Sequence, residues 1–319
     1  HAHRLGIPAT IVMPKDTAFT KVKRSETLGA KIILHGNTFS DAMGKAMALV
    51  KEKKLTFIPT FDHPLIMAGQ GTAAVEFLEK FPELEILVVP IGGGGLISGI
   101  AVAAKAMNPK LKIYGVQSEV YPSMKAALQG KTIDPHGQTI AEGIAIKTPG
   151  KLTKKVVEAL VDDIIIVPEK LIEQAINIFI EVEKVVVEGA AAAPLAAVIY
   201  KPDLFKGKKT GLVLSGGNID PKLLAYSLLR GLARDGRISR LRITAPDLPG
   251  SLAKMTRIVA EHGGNVMEVY HQRQFADIAL KYTKIELVVE TKDANHTDQI
   301  ERALIKEGLL VERKPVAET

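Results

Sequence analysis

Four consecutive glycines, Gly92 to Gly95, separate an apolar run from an alanine-rich segment. A backbone without Cβ atoms allows its N–H groups to approach a ligand closely. The alanine-rich segment is expected to be helical, and a helix N-terminus adds unpaired N–H donors and a partial positive charge. This combination is typical of an anion site, most often for phosphate. A tight strand–helix turn without a ligand is the alternative.

The glycines alone do not identify the phosphate ligand. A dinucleotide-binding fingerprint needs G-x-G-x-x-G and an acidic residue about 20 residues later. Gly93 and Gly95 supply the first two glycines, Ser98 stands in the third position, and Glu119 follows the next strand. No Lys-Ser/Thr pair follows the glycines, which excludes a P-loop. A nucleotide-dependent oxidoreductase is therefore one candidate function.

A second candidate element is Ser215, which is followed by Gly216 and Gly217 at the end of another apolar strand. In an open α/β sheet, ligands bind beyond the carboxyl ends of the strands. We therefore expect Ser215 and the glycine loop to face one crevice. On its own, the Ser-Gly-Gly-Asn sequence also fits a simple turn.

The elements that position these residues alternate between strands and helices from Ala9 to Leu214. This alternation predicts a parallel sheet with helices on its faces. Arg230 to Arg237 is polar, contains two glycines and predicts a linker. Beyond it, the order βαββαβ predicts a ferredoxin-like unit. Among the expected segments are helices over 18–28 and 71–81 and strands over 57–59 and 265–274.

The composition excludes several classes of protein. The chain has 319 residues, a net charge of +7 and no cysteine. Disulfides, iron–sulfur clusters and cysteine zinc sites are therefore excluded, and a cytoplasmic location is expected. The lysines are scattered and no apolar run approaches the roughly 20 residues of a membrane span, so neither nucleic acid nor a membrane is expected as a partner. The chain does not begin with Met and enters a domain midway, which favours a truncated or processed chain.

Four separated motifs together resemble the threonine dehydratases, a family of fold-type II enzymes that use pyridoxal 5′-phosphate. They are FDHPLIMAGQGT (61–72), PIGGGGLISGIA (90–101), VEGAAAAPLAA (187–197) and LSGGNID (214–220). The resemblance implies a catalytic domain over residues 1–232, built on two open parallel α/β sheets. The N-terminal sheet would be incomplete and would form a small subdomain over about residues 6–58.

The same resemblance implies a reaction and a cofactor site. The reaction is deamination of threonine, and of serine, to 2-oxobutanoate or pyruvate and ammonia by β-elimination. The backbone N–H groups of the loop would bind the cofactor phosphate, and the Ser215 hydroxyl would bond to the pyridine nitrogen. A hydroxyl in place of a carboxylate makes the ring a weaker electron sink, which favours elimination over transamination. The implied phosphate-binding residues are Gly92, Gly93, Gly94, Gly95 and Leu96.

Two further positions are compared with the family pattern. Glu188 matches a position near a monovalent or divalent cation, with a solvated helix residue as the alternative.

The lysine that binds the cofactor covalently lies in a Ser-x-Lys-x-Arg-Gly context, which does not occur in this sequence. Lys21 to Arg24 is interpreted as a solvated helix face, because no glycine follows Arg24. No catalytic residue is therefore assigned, and this chain alone is expected to be inactive. A serine racemase-like enzyme and a non-catalytic regulatory fragment are the alternatives.

Residues 233–319 resemble an ACT domain through the loop Asp247-Leu248-Pro249-Gly250 and through Asn265. The resemblance implies that this loop binds an amino-acid effector, with Asn265 facing it, often across a dimer interface. Isoleucine or valine is the expected effector, and a homo-dimer or homo-tetramer is the expected assembly. A domain that serves packing alone is the alternative.

Overall fold

The computed structural model describes residues 1–17, 19–135, 137–272 and 279–314, which form two compact units, 1–60 and 61–319. Two expected segments extend beyond these residues. The helix expected over 18–28 begins at Ala18, and the strand expected over 265–274 ends at Gln274, and both of these ends lie outside the described residues.

The first unit contains two parallel strands, with Thr10 opposite Lys31. Two helices accompany them, and Thr38 begins the second through a capping box with Asp41. The elements are β1 (Thr10–Met13), α1 (Phe19–Thr27), β2 (Lys31–Leu34) and α2 (Phe39–Lys53). The prediction of a strand over 57–59 is wrong, because these residues, all of which the structure describes, pair with no strand. Pro59 cannot donate a hydrogen bond to a sheet ladder.

Helix α1 contains the Lys21 to Arg24 segment. The Lys21, Lys23 and Arg24 side chains are exposed there, which confirms a solvated helix face. Within the same unit, β1 and α2 line a largely apolar cavity of about 650 Å³.

The second unit begins with a parallel sheet in the order β5-β4-β3-β6, as the alternation of strands and helices predicts. Its strands are β3 (Ile86–Pro90), β4 (Lys112–Ser118), β5 (Asp163–Val167) and β6 (Thr210–Leu212). Its helices are α3 (Pro64–Lys80), α4 (Gly95–Met107), α5 (Ser123–Leu128), α6 (Lys151–Leu160), α7 (Glu169–Ile178), α8 (Gly189–Tyr200), α9 (Pro202–Phe205) and α10 (Pro221–Arg234). A π-helical turn, Phe179–Glu183, extends α7.

Strand β3 is buried on both faces. Ile86 and Val88 pack into one hydrophobic cluster with the alanines of α8, whereas Leu87 and Val89 pack into a second cluster with α3 and α4. Covering both faces of a parallel strand requires apolar residues at every position. The unbroken apolar run before the glycines is therefore a consequence of this double burial.

Helices α3 and α4 approach each other closely through glycines. A Cβ on Gly99 would contact the backbone of Met67 and would lie 2.8 Å from the Gly71 nitrogen. Helix α3 begins earlier than expected, because Pro64 occupies its first turn and the His63 side chain accepts the Leu65 N–H.

The linker expected over Arg230 to Arg237 is mostly helix. Helix α10 continues to Arg234, and Gly231 is buried in it, where a Cβ would overlap the Asn177 side chain. The Asn177 amide donates to the Ser227 carbonyl at 3.1 Å, and the Ser227 hydroxyl donates to Asn177 Oδ1 at 3.3 Å. Gly231 therefore serves the packing of α10 on α7, and the expected boundary after residue 232 falls inside a helix.

The C-terminal part is an antiparallel sheet in the order β10-β7-β9-β8, which confirms the ferredoxin-like prediction. Its elements are β7 (Ile238–Pro246), α11 (Ser251–Glu261), β8 (Asn265–Gln272), β9 (Tyr282–Glu290), α12 (Ala294–Lys306) and β10 (Leu310–Lys314). Leu241 and Ile243 of β7 and Leu287 of β9 are fully buried in one cluster with both helices. The Thr291 hydroxyl donates to the Gly236 carbonyl at 2.5 Å and so joins this sheet to the segment after α10.

The contact between α3 and α4 generates a stability prediction. Gly99→Ala should lower the free energy of unfolding by about 1–3 kcal/mol, because the new methyl group meets backbone atoms that cannot rotate away. Gly69→Ala is the matched control within α3, since a Cβ there meets nothing within 4 Å. It should be neutral or stabilise by up to about 1 kcal/mol. Urea unfolding followed by circular dichroism measures both variants, and equal stabilities would contradict the close contact.

Candidate functional site

The glycine loop, defined as Gly92 to Gly95, and Ser215 follow neighbouring strands. Strands β3 and β6 are parallel with Val88 opposite Leu212, and the Val213 N–H donates to the Val88 carbonyl at 3.0 Å. Both segments therefore leave the same edge of the sheet, where ligands bind in open α/β folds. Ser215 is exposed at this edge.

Close contacts connect the glycine loop to the Ser215 segment through Gly143 and Glu188. A Cβ on Gly92 would lie 3.4 Å from the Gly143 carbonyl oxygen, and a Cβ on Gly143 would lie 3.0 Å from Glu188 Oε1. The same oxygen would lie 2.9 Å from a Cβ on Gly216, and the Glu188 N–H donates to the Gly216 carbonyl at 3.1 Å. The Glu188 carboxylate thus lies between two glycines that border the sheet edge.

Protein side chains pack against the glycine loop. A Cβ on Gly93 would lie 2.5 Å from three atoms of the Phe61 ring, and a Cβ on Gly95 would lie 2.8 Å from the Phe61 Cβ. Gly94 has a φ of +96°, and a Cβ there would lie 2.9 Å from the Thr153 Cβ. The glycines therefore accommodate protein contacts as well as the close approach of a ligand.

The loop amides have the arrangement that an anion needs. Helix α4 begins at Gly95. In its first backbone hydrogen bond, the Ser98 N–H donates to the Gly94 carbonyl. None of the described residues accepts a hydrogen bond from the backbone N–H groups of Gly92 to Ile97. Unpaired N–H groups at the positive end of a helix dipole suit a phosphate. The residues present therefore fit the phosphate of pyridoxal 5′-phosphate.

Helix α6, which the sequence analysis missed, fixes the loop from one side. The Thr153 hydroxyl donates to the Gly93 carbonyl at 2.7 Å, and the Asp62 carboxylate accepts N–H groups from the first turn of α6. A signal was present in the sequence. Pro149-Gly150 precedes apolar residues at helical spacing, Leu152, Val156, Val157 and Leu160.

The residues that suggested a dinucleotide site have structural partners instead. Ser98 is fully buried, and its hydroxyl donates to the Thr153 carbonyl at 3.3 Å. Glu119 accepts the Glu169 N–H at 3.0 Å and so caps the start of α7. These bonds explain both residues without a nucleotide and weaken the oxidoreductase alternative.

The cation expected at Glu188 has little support from neighbouring ligands. In the part of the chain that the structure describes, no group of three or more His, Asp and Glu side chains could hold a metal ion. Divalent cations such as calcium take six to eight oxygen ligands. Backbone carbonyls and water molecules also serve as ligands, so the cation at Glu188 stays a prediction.

The residues expected to bind the effector do not converge within one copy of the C-terminal sheet. Asp247 follows Pro246, which pairs with Tyr282 at the start of β9, whereas Asn265 pairs with Glu290 at its end. The Asn265 side chain donates to Glu290 Oε2 at 3.2 Å. The expectation that Asn265 faces the Asp247 loop is therefore wrong within one chain, because β8 runs antiparallel to β9 and begins at the far end of the sheet.

The contact between Phe61 and Gly93 generates a second prediction. Gly93→Ala should destabilise the protein by about 1–3 kcal/mol, because its methyl group overlaps the Phe61 ring. In the double variant Gly93→Ala/Phe61→Ala, the ring is gone and the loss should be smaller than the sum of the single losses by about 1 kcal/mol or more. Urea unfolding of the four proteins measures this coupling. Strict additivity would show that the two residues do not touch.

Comparison with known proteins agrees with this geometry. A family model described as pyridoxal-phosphate dependent enzyme matches residues 1–216, and an ACT domain model matches residues 239–308. The L-threonine ammonia-lyase of Thermotoga maritima is 44% identical over 309 residues, which cover 96% of this chain and 77% of that protein. Among the described residues, no helix is long and apolar enough to cross a membrane.

Solved structures show the same fold. The threonine deaminase of T.th. superposes with a TM-score of 0.65 at 34% identity, covering 69% of this chain and 72% of that one. Maize serine racemase superposes with a TM-score of 0.66 at 34% identity, covering 73% of each chain. The expected fold class is confirmed, and this chain belongs to the pyridoxal-phosphate dependent enzymes and carries an ACT domain at its C-terminal end.

Proposed function

We propose that the protein deaminates L-threonine, and L-serine, to 2-oxobutanoate or pyruvate and ammonia. The observation that carries the proposal is the run of N–H groups from Gly92 to Ile97, which bond to none of the described residues and lie beside Ser215 at one sheet edge. The relatives named as threonine ammonia-lyase and threonine deaminase supply the reaction. The predicted catalytic domain over residues 1–232 and regulatory domain over 233–319 belong to the same proposal.

The proposed roles of the site residues follow from their chemistry. Backbone N–H groups of the glycine loop and Leu96 bind the cofactor phosphate, and the Ser215 hydroxyl meets the ring nitrogen. When bound, the cofactor withdraws electrons from the substrate carbon that carries the amino group. A hydroxyl stabilises a proton on the ring nitrogen less than a carboxylate does, so less negative charge collects on the ring. Ser215 thereby favours loss of the β-hydroxyl over transamination.

We also propose a cation, an amino-acid effector and an oligomeric assembly. The proposed cation is monovalent or divalent, and the Glu188 carboxylate is its proposed ligand. Isoleucine or valine is the proposed effector, bound at Asp247, Leu248, Pro249 and Gly250. Asn265 lies at the other end of the sheet, so a second copy would have to supply it, in a homo-dimer or homo-tetramer. A cytoplasmic location also stays a prediction.

A chimaeric protein tests the reaction. Residues 1–319 alone should form no 2-oxobutanoate from threonine and added cofactor, because they contain no Ser-x-Lys-x-Arg-Gly segment. Fusing a segment with the family's Ser-x-Lys-x-Arg-Gly context before His1 should give threonine-dependent 2-oxobutanoate and ammonia. In that chimaera, Ser215→Ala should lower kcat/KM about 2- to 10-fold, as for the loss of a hydrogen bond between uncharged groups. Ser215→Thr retains a hydroxyl and is the control.

The products separate the alternatives. D-Serine from L-serine without pyruvate would favour the racemase alternative, which the similarity to maize serine racemase keeps open. A folded chimaera with neither product would favour a non-catalytic regulatory role. Turnover by residues 1–319 alone would contradict the need for a lysine in the Ser-x-Lys-x-Arg-Gly context.

Isothermal titration of the whole chain with isoleucine tests the effector site. In the proposed complex the Asp247 carboxylate accepts from the ammonium group of isoleucine, and the N–H groups at the start of α11 donate to the carboxylate of isoleucine. Asp247→Asn should weaken isoleucine binding about tenfold or more, because a charge-assisted bond is lost. Glu261→Gln, at the other end of α11, is the matched control. Absence of binding by isoleucine, valine and leucine would contradict the proposal.

A further inference from the structure

The Thr153 side chain is fully buried against the glycine loop. Its Oγ1 lies 2.7 Å from the Gly93 carbonyl oxygen and 3.3 Å from the Gly150 carbonyl oxygen. A hydroxyl has one hydrogen, and the shorter contact assigns it to Gly93. The Gly150 N–H donates to the same Gly93 oxygen at 3.2 Å. The start of α6 therefore supplies two donors to one carbonyl of the loop.

Asp62 fixes the start of α6. Its carboxylate accepts the N–H groups of Lys151 at 2.9 Å, Leu152 at 3.0 Å and Thr153 at 3.1 Å. These first-turn groups have no acceptor inside the helix, and a negative charge stabilises the positive helix end. Phe61, the preceding residue, packs on Gly93. One short segment thus contacts the glycine loop directly and also fixes the helix that bonds to it.

The direction of the Gly93 carbonyl sets the direction of the next N–H group. The described part of the chain contains no cis peptide bond, so the carbonyl of Gly93 and the N–H of Gly94 lie in one plane and point in opposite directions. With the carbonyl bonded to Thr153, the Gly94 N–H points away from Thr153. Glycine peptides have several accessible orientations. The Thr153 bond selects one of them.

We propose that Thr153 is a positioning residue that directs the Gly94 N–H toward the cofactor phosphate, an inference that rests on the proposed function. Thr153 itself donates its hydrogen to the protein and touches no ligand. Its effect should therefore be specific to the phosphate group and absent from the rest of the cofactor. This specificity distinguishes positioning from a general contribution to folding.

The test compares two ligands that differ only in the phosphate. Isothermal titration of residues 1–319 with pyridoxamine 5′-phosphate and with pyridoxamine measures the contribution of the phosphate. Neither ligand has an aldehyde, so neither forms a covalent bond to a lysine. Thr153→Val keeps the shape of the side chain without the hydroxyl, and Thr153→Ser is the matched control that keeps it.

Thr153→Val should bind pyridoxamine 5′-phosphate about three- to tenfold more weakly, the range of one net hydrogen bond, and pyridoxamine unchanged. Thr153→Ser should stay within about twofold of the unmodified chain for both ligands, because its hydroxyl makes the same bond. Circular dichroism checks that the variants fold. Should Thr153→Val not fold, Asp62→Asn, which weakens the charge at the start of α6, should show the same phosphate-specific loss.

Three results would overturn the proposal. Unchanged binding of pyridoxamine 5′-phosphate by Thr153→Val would show that the hydroxyl does not orient the loop. Equal losses for both ligands would show a general structural role. If the unmodified chain binds both ligands equally, it has no phosphate site, and the proposed function fails together with the inference. If the unmodified chain prefers the phosphorylated ligand and Thr153→Val keeps the same preference, the proposed function stands and only the role of Thr153 is wrong.

Discussion

The hydrogen bond from Thr153 to the Gly93 carbonyl and the packing of Phe61 on Gly93 hold the glycine loop in place. A run of glycines without such contacts would sample many conformations and would lose entropy on binding an anion. Here the loop is ordered by the protein, so its N–H groups are arranged in advance. Pre-organised donors bind more tightly because less ordering remains to be done on binding.

The same use of glycine recurs at the edge of the sheet. Gly143 and Gly216 each lie against the Glu188 carboxylate, and Gly99 lies against the backbone of α3. A side chain at Gly99 would push α3 and α4 apart, because it would meet the backbone of α3. At Gly143 or Gly216 a side chain would instead displace the Glu188 carboxylate, so these glycines leave room for that carboxylate at the sheet edge.

Sequence patterns were sufficient for the parts of the fold that local periodicity determines. The apolar run of β3, the loop after it and the βαββαβ order follow from patterns within a few residues. The contacts that order the loop join residues distant in sequence, such as Asp62 with Lys151 and Thr153 with Gly93. Local patterns carry no information about such pairs. Gly231 was misinterpreted for the same reason, since its partner Asn177 lies on another helix.

Helix α10 connects the two ends of the second unit. It begins at Pro221, shortly after Ser215, and its 14 residues span about 21 Å. The segment that follows the helix contains Gly236, whose carbonyl accepts the Thr291 hydroxyl. Near its middle, Ser227 is bonded to Asn177 of α7. One helix therefore joins the Ser215 segment to the C-terminal sheet, and the middle of that helix is fixed to α7.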